Sequence, residues 1–514
     1  MTINATSPHP EWATSLRTKG TELRLLKGNY YLYSYSNVYD PIKKQSKKIT
    51  GKLLGRITEK EGFIPSEKLQ LRQQLQREQT KESKNAEQLA IKVGVHREWG
   101  VSEYILVQFA SFLNTLQQYF KDEWQFIVLM AYCRLLYQCP IKNMPLHMVQ
   151  SWLFEQWQPG NISEKKISTL LRTIGQKREE AIGYMKTFIQ DTSYFLVDTT
   201  NILSKSSKIA LAKKGYNSNM DFEPQISTMY LFSATNKMPV FYRINPGNIK
   251  EVKAFGLTLK ESGIKDAVII GDKGFYSKDN VTLFKEEHLQ CILPIPRTNN
   301  LIDYTQIADG SIKHKKQYFD YQGRIIWYVV ISDNTKDKDT IYKDDKDKNY
   351  EMLCLFLDEK YRNKEETDYL HHIDTLPEEF TWEKFQEKRN TFGTLAFLSI
   401  LKKKSTPQQI YEGYKSRQAI EEMFDTLKNM LDVDSTYMQN EDALQGWMFI
   451  NHIALQWFHQ MYLNLKKKEL LPKHSVKDIL QLLLESRKVK INNEWYPTEI
   501  TTANQKLISK VTKI

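Results

Sequence analysis

The chain has 514 residues, which is too many for one hydrophobic core, and its 41% hydrophobic content is enough for several folded units. Lysine and arginine outnumber aspartate and glutamate by 73 to 61, so the formal charge of +12 favours a polyanion such as nucleic acid as partner. The four cysteines form no Cys-x2-Cys pair, which argues against a zinc site and against a disulfide framework. The sequence also lacks the glycine-rich nucleotide motifs and the His-Glu-x2-His motif, so it gives no support to nucleotide-driven motors, dinucleotide oxidoreductases or zinc proteases.

No apolar run is long enough to predict a membrane span, and the N-terminal residues lack the apolar core of a signal peptide. We therefore expect a cytoplasmic protein with no membrane partner.

Residues 1–80 predict a small, β-rich, basic unit. A tyrosine-rich run from Asn29 to Tyr35 has the composition of a strand. Aromatic residues beside cations can stack on bases and pair with phosphates. The candidate DNA contacts here are Lys43, Lys44, Lys47 and Lys48. A solvated charge run on a hairpin carries equal weight as an interpretation.

Residues 81–190 predict a helical domain for DNA binding or dimerisation, because apolar side chains recur at spacings of three and four residues. The segment from Asn161 to Lys177 begins with Ser163 as a capping residue and carries several basic side chains. Such a helix could enter a major groove, but a helical bundle with basic solvent-facing residues fits the pattern at least as well.

Residues 191–299 and 400–465 predict an α/β core. Three strand-like runs, which include Val197, Met229 and Phe241, read as an antiparallel meander. Alternating helices and strands follow, and we expect the buried strand of Val268 to lie beside the first strand. Residues 300–399 predict a β-rich insertion, and residues 466–514 predict a basic C-terminal tail.

The segment from Tyr414 to Lys428 reads Tyr-x2-Arg-x3-Glu-x6-Lys. On one continuous α-helix, Tyr414, Arg417, Glu421 and Lys428 would fall within an arc of about 60°. A stripe of one carboxylate, two cations and a phenol is a poor core face, because each buried charge needs a partner. It suits a phosphate backbone together with a metal ion.

Two further carboxylates, Asp198 and Asp272, each follow a strand-like apolar run, and we expect each to close its strand. Ligands in α/β sheets bind at the carboxyl ends of the strands. Together with Glu421, the two aspartates could hold two divalent cations for phosphoryl displacement. Arg417 and Lys428 would then hold DNA phosphates, and Tyr414 would donate a hydrogen bond.

Two acids near Glu421 compete for the same role. Glu422 lies about 100° around the helix and should miss the metal. Asp425 shares the stripe, although we favour its pairing with Lys428 or Asn429.

These residues closely resemble the DDE transposases of bacterial insertion sequences, in particular the group with a Tyr-Arg-Glu-Lys motif. The neighbouring sequence is similar as well: Asp198-Thr199-Thr200, Gly215-Tyr216, Pro246-Gly247-Asn248 and Gly271-Asp272-Lys273-Gly274-Phe275-Tyr276. The resemblance covers about residues 190–465.

The resemblance implies a ribonuclease H-like fold with a β-rich insertion, and Asp198, Asp272 and Glu421 as catalytic ligands of two Mg2+ or Mn2+ ions. It implies that the protein cuts the terminal inverted repeats of a mobile element and joins them to target double-stranded DNA. We expect a homodimer on DNA. Relatives can support a flipped base with an aromatic residue of the insertion, for which Trp327 is the nearest candidate, although a tryptophan in a strand is more often a core residue.

Two other functions stay open at this point. One is a two-metal nuclease, such as a resolvase, that cuts DNA without joining it. The other is a DNA-binding repressor that derives from a transposase and no longer catalyses a reaction.

Overall fold

The structure is a computed structural model, and it describes residues 9–40, 45–70, 95–190, 193–215, 223–265, 267–286, 289–314, 316–333, 349–498 and 500–512. The chain divides into two compact units, Met1–His96 with Val489–Tyr496 and Arg97–Lys488 with Pro497–Ile514. Within these described ranges, no helix has both the length and the apolar character needed to cross a membrane.

The first unit contains a four-stranded antiparallel sheet, in keeping with its tyrosine-rich sequence. Its elements are a short helix α1 (Glu11–Thr14) and strands β1 (Thr21–Leu26), β2 (Asn29–Asp40), β3 (Gln45–Thr58) and β4 (Gly62–Pro65). Side chains alternate between the two faces of a strand, so Leu32 and Ile57 pack against Ala13 on one face. Lys47 and Lys48 on β3 are exposed.

From residue 100 to residue 186 the chain is mainly helical, as the spacing of its apolar residues predicts. A strand β5 (Val95–Glu98) precedes helices α2 (Gly100–Gln108), α3 (Ala110–Tyr119), α4 (Trp124–Tyr137), α5 (Met144–Met148), α6 (Trp152–Trp157), α7 (Glu164–Gln176) and α8 (Arg178–Lys186). The predicted cap of α7 is confirmed, because the Ser163 hydroxyl accepts a hydrogen bond from the backbone N–H of Lys166 at 3.3 Å.

The second unit is organised around an eleven-stranded mixed sheet. Its first elements are β6 (Tyr194–Ser204), β7 (Lys213–Lys214), β8 (Pro224–Ser233), β9 (Met238–Pro246), α9 (Glu251–Ser262), β10 (Val268–Ile270), α10 (Lys278–Glu286) and β11 (Gln290–Ile295). β6, β8 and β9 form the predicted antiparallel meander. β10 lies parallel to β6, which confirms the predicted neighbour, and β11 lies parallel to β10.

The strands of the predicted insertion extend this same sheet. The elements of this region are α11 (Thr305–Ala308), β12 (Tyr318–Tyr321), β13 (Arg324–Asp333), β14 (Tyr350–Asp358), α12 (Glu359–Thr375), α13 (Trp382–Lys388) and β15 (Thr394–Leu401). β12, β13, β14 and β15 are successive antiparallel neighbours, and β15 pairs with β11. The region is therefore continuous with the core sheet, and its independence as a domain stays a prediction.

The chain then forms α14 (Pro407–Lys415), α15 (Gln418–Asp425), a π-helical turn (Thr426–Met430), a short strand β16 (Ser435–Thr436) and a long helix α16 (Glu441–Lys467). β16 pairs in parallel with the end of β6. The residues from 466 onwards, predicted as a basic tail, contain ordered elements: α17 (Val476–Leu484), β17 (Arg487–Ile491), β18 (Glu494–Pro497) and α18 (Thr502–Val511).

The long helix α16 packs closely against α7 of the helical region. A Cβ atom at Gly446 of α16 would lie 2.0 Å from the backbone oxygen of Leu171, so glycine is required for this approach. Seventeen residues of α16 are buried, which explains why its apolar sequence resembles a core helix on all sides. The helical region and the sheet thus share one continuous hydrophobic core.

A buried arginine fixes the chain after the π-helical turn. Arg134 on α4 is 4% exposed, and its Nε donates to Oδ1 of Asn451 on α16 at 2.8 Å. Its Nη1 donates to the backbone oxygen of Cys139 at 3.2 Å, and its Nη2 donates to the backbone oxygens of Leu431 and Asp432. A buried charge is tolerated only when its donors are satisfied, and Arg134 meets this condition with backbone carbonyls.

We expect Arg134→Met to lower the free energy of unfolding by about 3 kcal/mol, because the buried carbonyls lose their donors. The measurement is denaturant unfolding followed by circular dichroism. Lys165→Met on the exposed face of α7 is the matched control and should change stability by less than about 0.5 kcal/mol. Equal effects of the two substitutions would contradict this role of Arg134.

Candidate active site

The register of two parallel strands brings Asp198 and Asp272 level with each other. Ile270, the last residue of β10, pairs with Leu196 of β6, and each aspartate lies two residues further along its chain. The prediction that Asp272 follows the end of a strand is confirmed. The corresponding prediction for Asp198 is wrong, because β6 continues to Ser204 through its pairing with β8. Since β10 ends early, the sheet is open beside Asp198.

The predicted continuous helix from Tyr414 to Lys428 is also wrong. α14 ends at Lys415, α15 begins at Gln418, and the two intervening residues form a turn. The Ser416 hydroxyl donates to the backbone oxygen of Gly413 at 2.6 Å, and such local bonds compete with the helical ladder. Ser416 and Arg417 nevertheless keep right-handed helical dihedrals, so Arg417, the residue just before α15, still faces Glu421 one turn further on. The departure from α-helical phase falls at the π-helical turn that contains Lys428.

The Arg417 guanidinium joins all three acids. Its Nη2 lies 2.5 Å from Asp198 Oδ2 and 3.5 Å from Asp272 Oδ2. Its Nη1 lies 2.6 Å from Glu421 Oε1, one helical turn further on. Because one nitrogen contacts both aspartates, their two oxygens cannot be further apart than the sum of the first two distances. The structure thus brings together Asp198, Asp272, Arg417 and Glu421.

The four side chains differ strongly in their access to solvent. Arg417 is 12% exposed and Asp198 is 17% exposed, whereas Asp272 is 42% and Glu421 is 58% exposed. Burial raises the pKa of Asp198 to about 6, although Arg417 and the amide of Thr199, which donates to Asp198 Oδ1 at 2.8 Å, favour its ionised form. The site therefore has a desolvated floor at Asp198 and an open rim at Glu421.

Tyr414 lies beside the cluster. Its ring packs on Phe397 of β15 with ring centroids 4.4 Å apart. Burial raises the pKa of Tyr414 to about 12, and the charges of Arg417 and Asp272 also act on it, which shows that the phenol is near the acids. A phenol with this pKa stays protonated at neutral pH and can donate a hydrogen bond.

Lys428 lies in the π-helical turn and forms no ion pair with a residue that the structure describes. The Leu431 backbone N–H donates to Thr426 at 3.1 Å across this turn, and such π-helical turns often occur at functional sites. The π-helical turn changes the direction of Lys428 relative to Glu421, so the helical phase in the prediction does not apply to it.

The two acids that competed with Glu421 have other partners. Glu422 accepts a hydrogen bond from Gln418 at 3.1 Å on the exposed face of α15. Asp425 accepts one from Asn429 at 2.6 Å, which is one of the two pairings that we favoured. Neither carboxylate contacts Arg417.

Sequence reasoning missed a fourth carboxylate near the site. Glu251, the first residue of α9, accepts a hydrogen bond from the Thr199 hydroxyl at 3.2 Å. A Cβ atom at Gly274 would lie 2.2 Å from the other oxygen of Glu251, so a larger residue there would require the Glu251 carboxylate to move. Thr199 and Gly274 belong to the sequence stretches on which the resemblance rests. The position of Glu251 beside both of them depends on the fold.

The remaining predicted DNA contacts lie elsewhere or outside the described residues. Lys43 and Lys44 belong to the latter group. Lys48 pairs with Glu22 at 2.7 Å and lies 4.1 Å from the Tyr35 ring centroid. Three basic residues on or next to α7 have partners within the protein: Lys166 lies over the Phe126 ring, Lys177 pairs with Glu123, and Arg178 pairs with Glu261.

Trp327 on β13 is half-buried, and its ring centroid lies 5.1 Å from that of Tyr318. It packs against a small core cluster that includes Ile302 and Val329. This packing matches the alternative that it is a core residue, while a role in DNA binding stays a prediction. Trp382 on α13 is 54% exposed and is the more accessible tryptophan of this region.

In the described part of the chain, no three His, Cys, Asp or Glu side chains are arranged around a common point that could hold a metal ion. The three acids instead contact the Arg417 guanidinium, which lies between them. The donor set itself fits Mg2+ or Mn2+, because carboxylate oxygens are the ligands that these hard cations prefer. Three carboxylates and one guanidinium also leave a formal charge of −2, which suits a divalent cation.

Part of the chain matches a known protein family. Residues 189–457 match the family model described as Transposase DDE domain. A piggyBac transposase synaptic complex with hairpin DNA is 11% identical, with 71% of this chain and 70% of that chain covered and a TM-score of 0.36. The Mos1 transposase paired-end complex with left transposon end is 10% identical, with 38% and 66% covered and a TM-score of 0.14. No curated protein matches the chain.

The two structural likenesses are too weak to support an argument, whereas the family match spans more than half of the chain. The matched region includes Asp198, Asp272, Arg417 and Glu421. It also agrees with the mixed α/β class predicted for a ribonuclease H-like core. The chain therefore belongs to the family of transposases with a DDE domain.

Proposed function

We propose that this protein is a cut-and-paste transposase of a bacterial insertion sequence, from the group with the Tyr-Arg-Glu-Lys motif. It binds the terminal inverted repeats of its element, cleaves the DNA strands, and joins the 3′ ends to target DNA. The observation that carries this proposal is the convergence of Asp198, Asp272 and Glu421 on Arg417 within the matched family region.

The three acids differ in their exposure to solvent, and each has a role that fits its exposure. Asp198 lies on a continuous strand and is fixed on both sides by Arg417 and the Thr199 amide, so it provides the rigid part of the site. Asp272 and Glu421 are more exposed and can approach a DNA strand that enters from solvent. This difference in solvent exposure suits a reaction in which a bulky polyanion must reach a preorganised centre.

Asp198, Asp272 and Glu421 would hold the divalent cations. When bound, Mg2+ or Mn2+ would supply activation of the attacking oxygen and stabilisation of the leaving oxygen in an in-line displacement at phosphorus.

Arg417 and Tyr414 have roles of their own. In the structure the guanidinium pairs with the acids, and its planar set of donors also matches the geometry of a phosphate group. The protonated Tyr414 phenol can donate a hydrogen bond to a phosphate oxygen next to the cluster. Lys428, which has no acidic partner among the described residues, is available for a phosphate further along the strand.

A transposase must hold two ends of its element, so we propose that it acts as a homodimer on double-stranded DNA. The net charge of +12 supports long-range attraction to DNA. Lys47 on β3 is exposed and stays a proposed contact, together with Lys43, Lys44, Lys48 and Trp327.

We expect Asp198→Asn, Asp272→Asn and Glu421→Gln each to reduce strand cleavage by about 10³-fold or more, because each loses a charged oxygen donor. Binding of end DNA should remain, since no phosphate contact is removed. The substrate is labelled DNA with the inverted repeats that flank the reading frame, and products are separated on a denaturing gel.

Glu422→Gln is the matched control for these variants. It makes the same chemical change on the same helix, but its carboxylate faces Gln418 on the exposed side. Cleavage should persist in this variant. Wild-type cleavage in any of the three acid variants would remove that residue from the assignment.

We expect Arg417→Gln to unfold at a lower temperature than the wild type in EDTA, because three carboxylates lose their shared cation. Mg2+ should then stabilise the variant by about 1 kcal/mol more than it stabilises the wild type, where it competes with the guanidinium. Thermal unfolding over a Mg2+ titration tests this.

Arg362→Gln is the control, since Arg362 pairs with Glu366 on α12 and contacts none of the three acids. It should show no additional stabilisation by Mg2+. Equal responses of the wild type and Arg417→Gln to Mg2+ would contradict the proposed competition.

Incubation of the protein with Mg2+, a labelled element end and a target plasmid should yield a joined product, because the freed 3′ hydroxyl is a nucleophile for a second displacement. The product is detected as label that comigrates with the plasmid. Cutting without joining would indicate the two-metal nuclease, and metal-independent binding without cutting would indicate the repressor.

A further inference from the structure

A groove separate from the acid cluster lies between the helical region and the loop that follows the π-helical turn. We call it the Tyr437 groove; it is lined by Lys142, Glu164, Arg172, Lys208, Asp432 and Tyr437, among others. Its cavity has a volume of about 860 Å³. All of these residues belong to the second compact unit.

Tyr437 is the most exposed large hydrophobic side chain among the residues that the structure describes, at 70%. Its backbone is nevertheless held firmly. Thr436 accepts a hydrogen bond from the Lys205 amide at 3.0 Å, and its hydroxyl accepts one from the Met438 amide at 3.3 Å. The Ser206 hydroxyl donates to Gln439 at 3.0 Å. An aromatic ring is thus presented to solvent on an ordered backbone, with little conformational entropy left to lose on stacking.

The cations of the groove are available for a ligand. Lys142, Arg172 and Lys208 are exposed, and none takes part in an ion pair with a residue in the described ranges. This differs from the other basic residues near α7, such as Lys177, which pairs with Glu123. Three unpaired cations around one exposed ring provide phosphate contacts beside a stacking surface.

Two acids also line the groove, but within the described ranges neither forms an ion pair with these cations. Asp432 lies next to the buried Arg134, whose pKa its charge helps to sustain against burial. Glu164 in the first turn of α7 is favourably placed at the positive end of the helix dipole. The three exposed cations therefore face solvent without a dedicated counter-charge.

The groove is connected to the acid cluster through β6. Ser435 of β16 pairs with Leu203, which lies five residues after Asp198 on the same strand. At about 3.3 Å per residue, the groove begins roughly 16 Å from Asp198. At the duplex rise of about 3.4 Å per nucleotide, this distance corresponds to at most roughly five nucleotides.

We propose that the Tyr437 groove binds a single-stranded segment of DNA next to the end that is cut, with Tyr437 stacked on one base and Lys142, Arg172 and Lys208 on phosphates. This inference rests on the proposed function, since it names a DNA subsite of that protein. Duplex DNA would not offer a base face to Tyr437, so the ring selects an unpaired nucleotide. An acidic protein segment could use the cations but would gain little from the ring.

The first experiment separates phosphate contacts from other contributions. Binding of a fluorescent single strand of about 12 nucleotides is measured without divalent cations between about 50 and 200 mM KCl. The triple variant Lys142→Ala, Arg172→Ala and Lys208→Ala should lower the slope of log K against log salt by about 2, from roughly 0.7 per lost phosphate contact.

The matched control is Lys260→Ala, Lys364→Ala and Lys467→Ala, which removes three exposed charges that do not line the groove. It should leave the salt slope nearly unchanged. An equal loss of slope in both triple variants would overturn the proposal, because the effect would then reflect net charge alone.

The second experiment tests the ring. Tyr437→Leu should weaken single-strand binding by about tenfold without changing the salt slope, whereas Tyr437→Phe should bind as the wild type does. With 2-aminopurine in the strand, quenching should be present in the wild type and Tyr437→Phe and absent in Tyr437→Leu. Quenching in Tyr437→Leu, or equal affinity of all three, would overturn the proposal.

These experiments need no cleavage, so they remain informative whatever the acid variants show. All four side chains are exposed, and thermal unfolding of the variants should match the wild type. If the acid variants retained cleavage while the groove variants lost binding, the proposed catalytic assignment would fail and the DNA subsite would stand. An acidic protein segment as the occupant would leave DNA binding of the groove variants intact, which would also overturn the proposal.

Discussion

Charge compensation among three carboxylates is the constraint on which the candidate site depends. Two carboxylates about 5 Å apart repel each other by roughly 3 kcal/mol at an effective dielectric constant of about 20, and burial of Asp198 adds to this cost. The Arg417 guanidinium offsets part of this cost, because it contacts all three acids. Burial is the larger influence on Asp198 and raises its pKa to about 6 despite Arg417. Three carboxylates around one guanidinium leave a formal excess of negative charge that a divalent cation can neutralise.

Two departures from regular structure make this arrangement possible. β10 is only three residues long, which leaves the sheet open beside Asp198 while the register keeps Asp272 level with it. Arg417 lies in the turn between α14 and α15, where its guanidinium contacts Asp198 and still pairs with Glu421 one turn further on. Each irregularity weakens a ladder of backbone hydrogen bonds locally. Their combined effect is to place one cation among three acids that are distant in sequence.

The same part of the chain links the acid cluster to the helical region. Arg134 holds the backbone after the π-helical turn, and β16 then attaches the following loop to the end of β6. The loop that carries Tyr437 is consequently fixed relative to Asp198 through one strand. A DNA strand at the acids and one at the Tyr437 groove would therefore contact one rigid frame, because the helical region and the sheet share one hydrophobic core.

The sequence by itself determined the antiparallel meander, the neighbouring parallel strand and the capped helix α7, because these depend on local periodicity and capping. It also singled out Asp198, Asp272 and Glu421, which the fold brings together at Arg417. The geometry predicted from the sequence was wrong where contacts between distant parts of the chain determine it. The pairing of β6 with β8 carries the strand past Asp198, and the contacts of Arg417 with Asp198 and Asp272 join residues that are distant in sequence. The position of Glu251 beside Thr199 and the union of the predicted insertion with the core sheet likewise require residues far apart in the chain to meet. Only the tertiary structure fixes such contacts, because no local pattern encodes which strand edge or which cation a side chain will find.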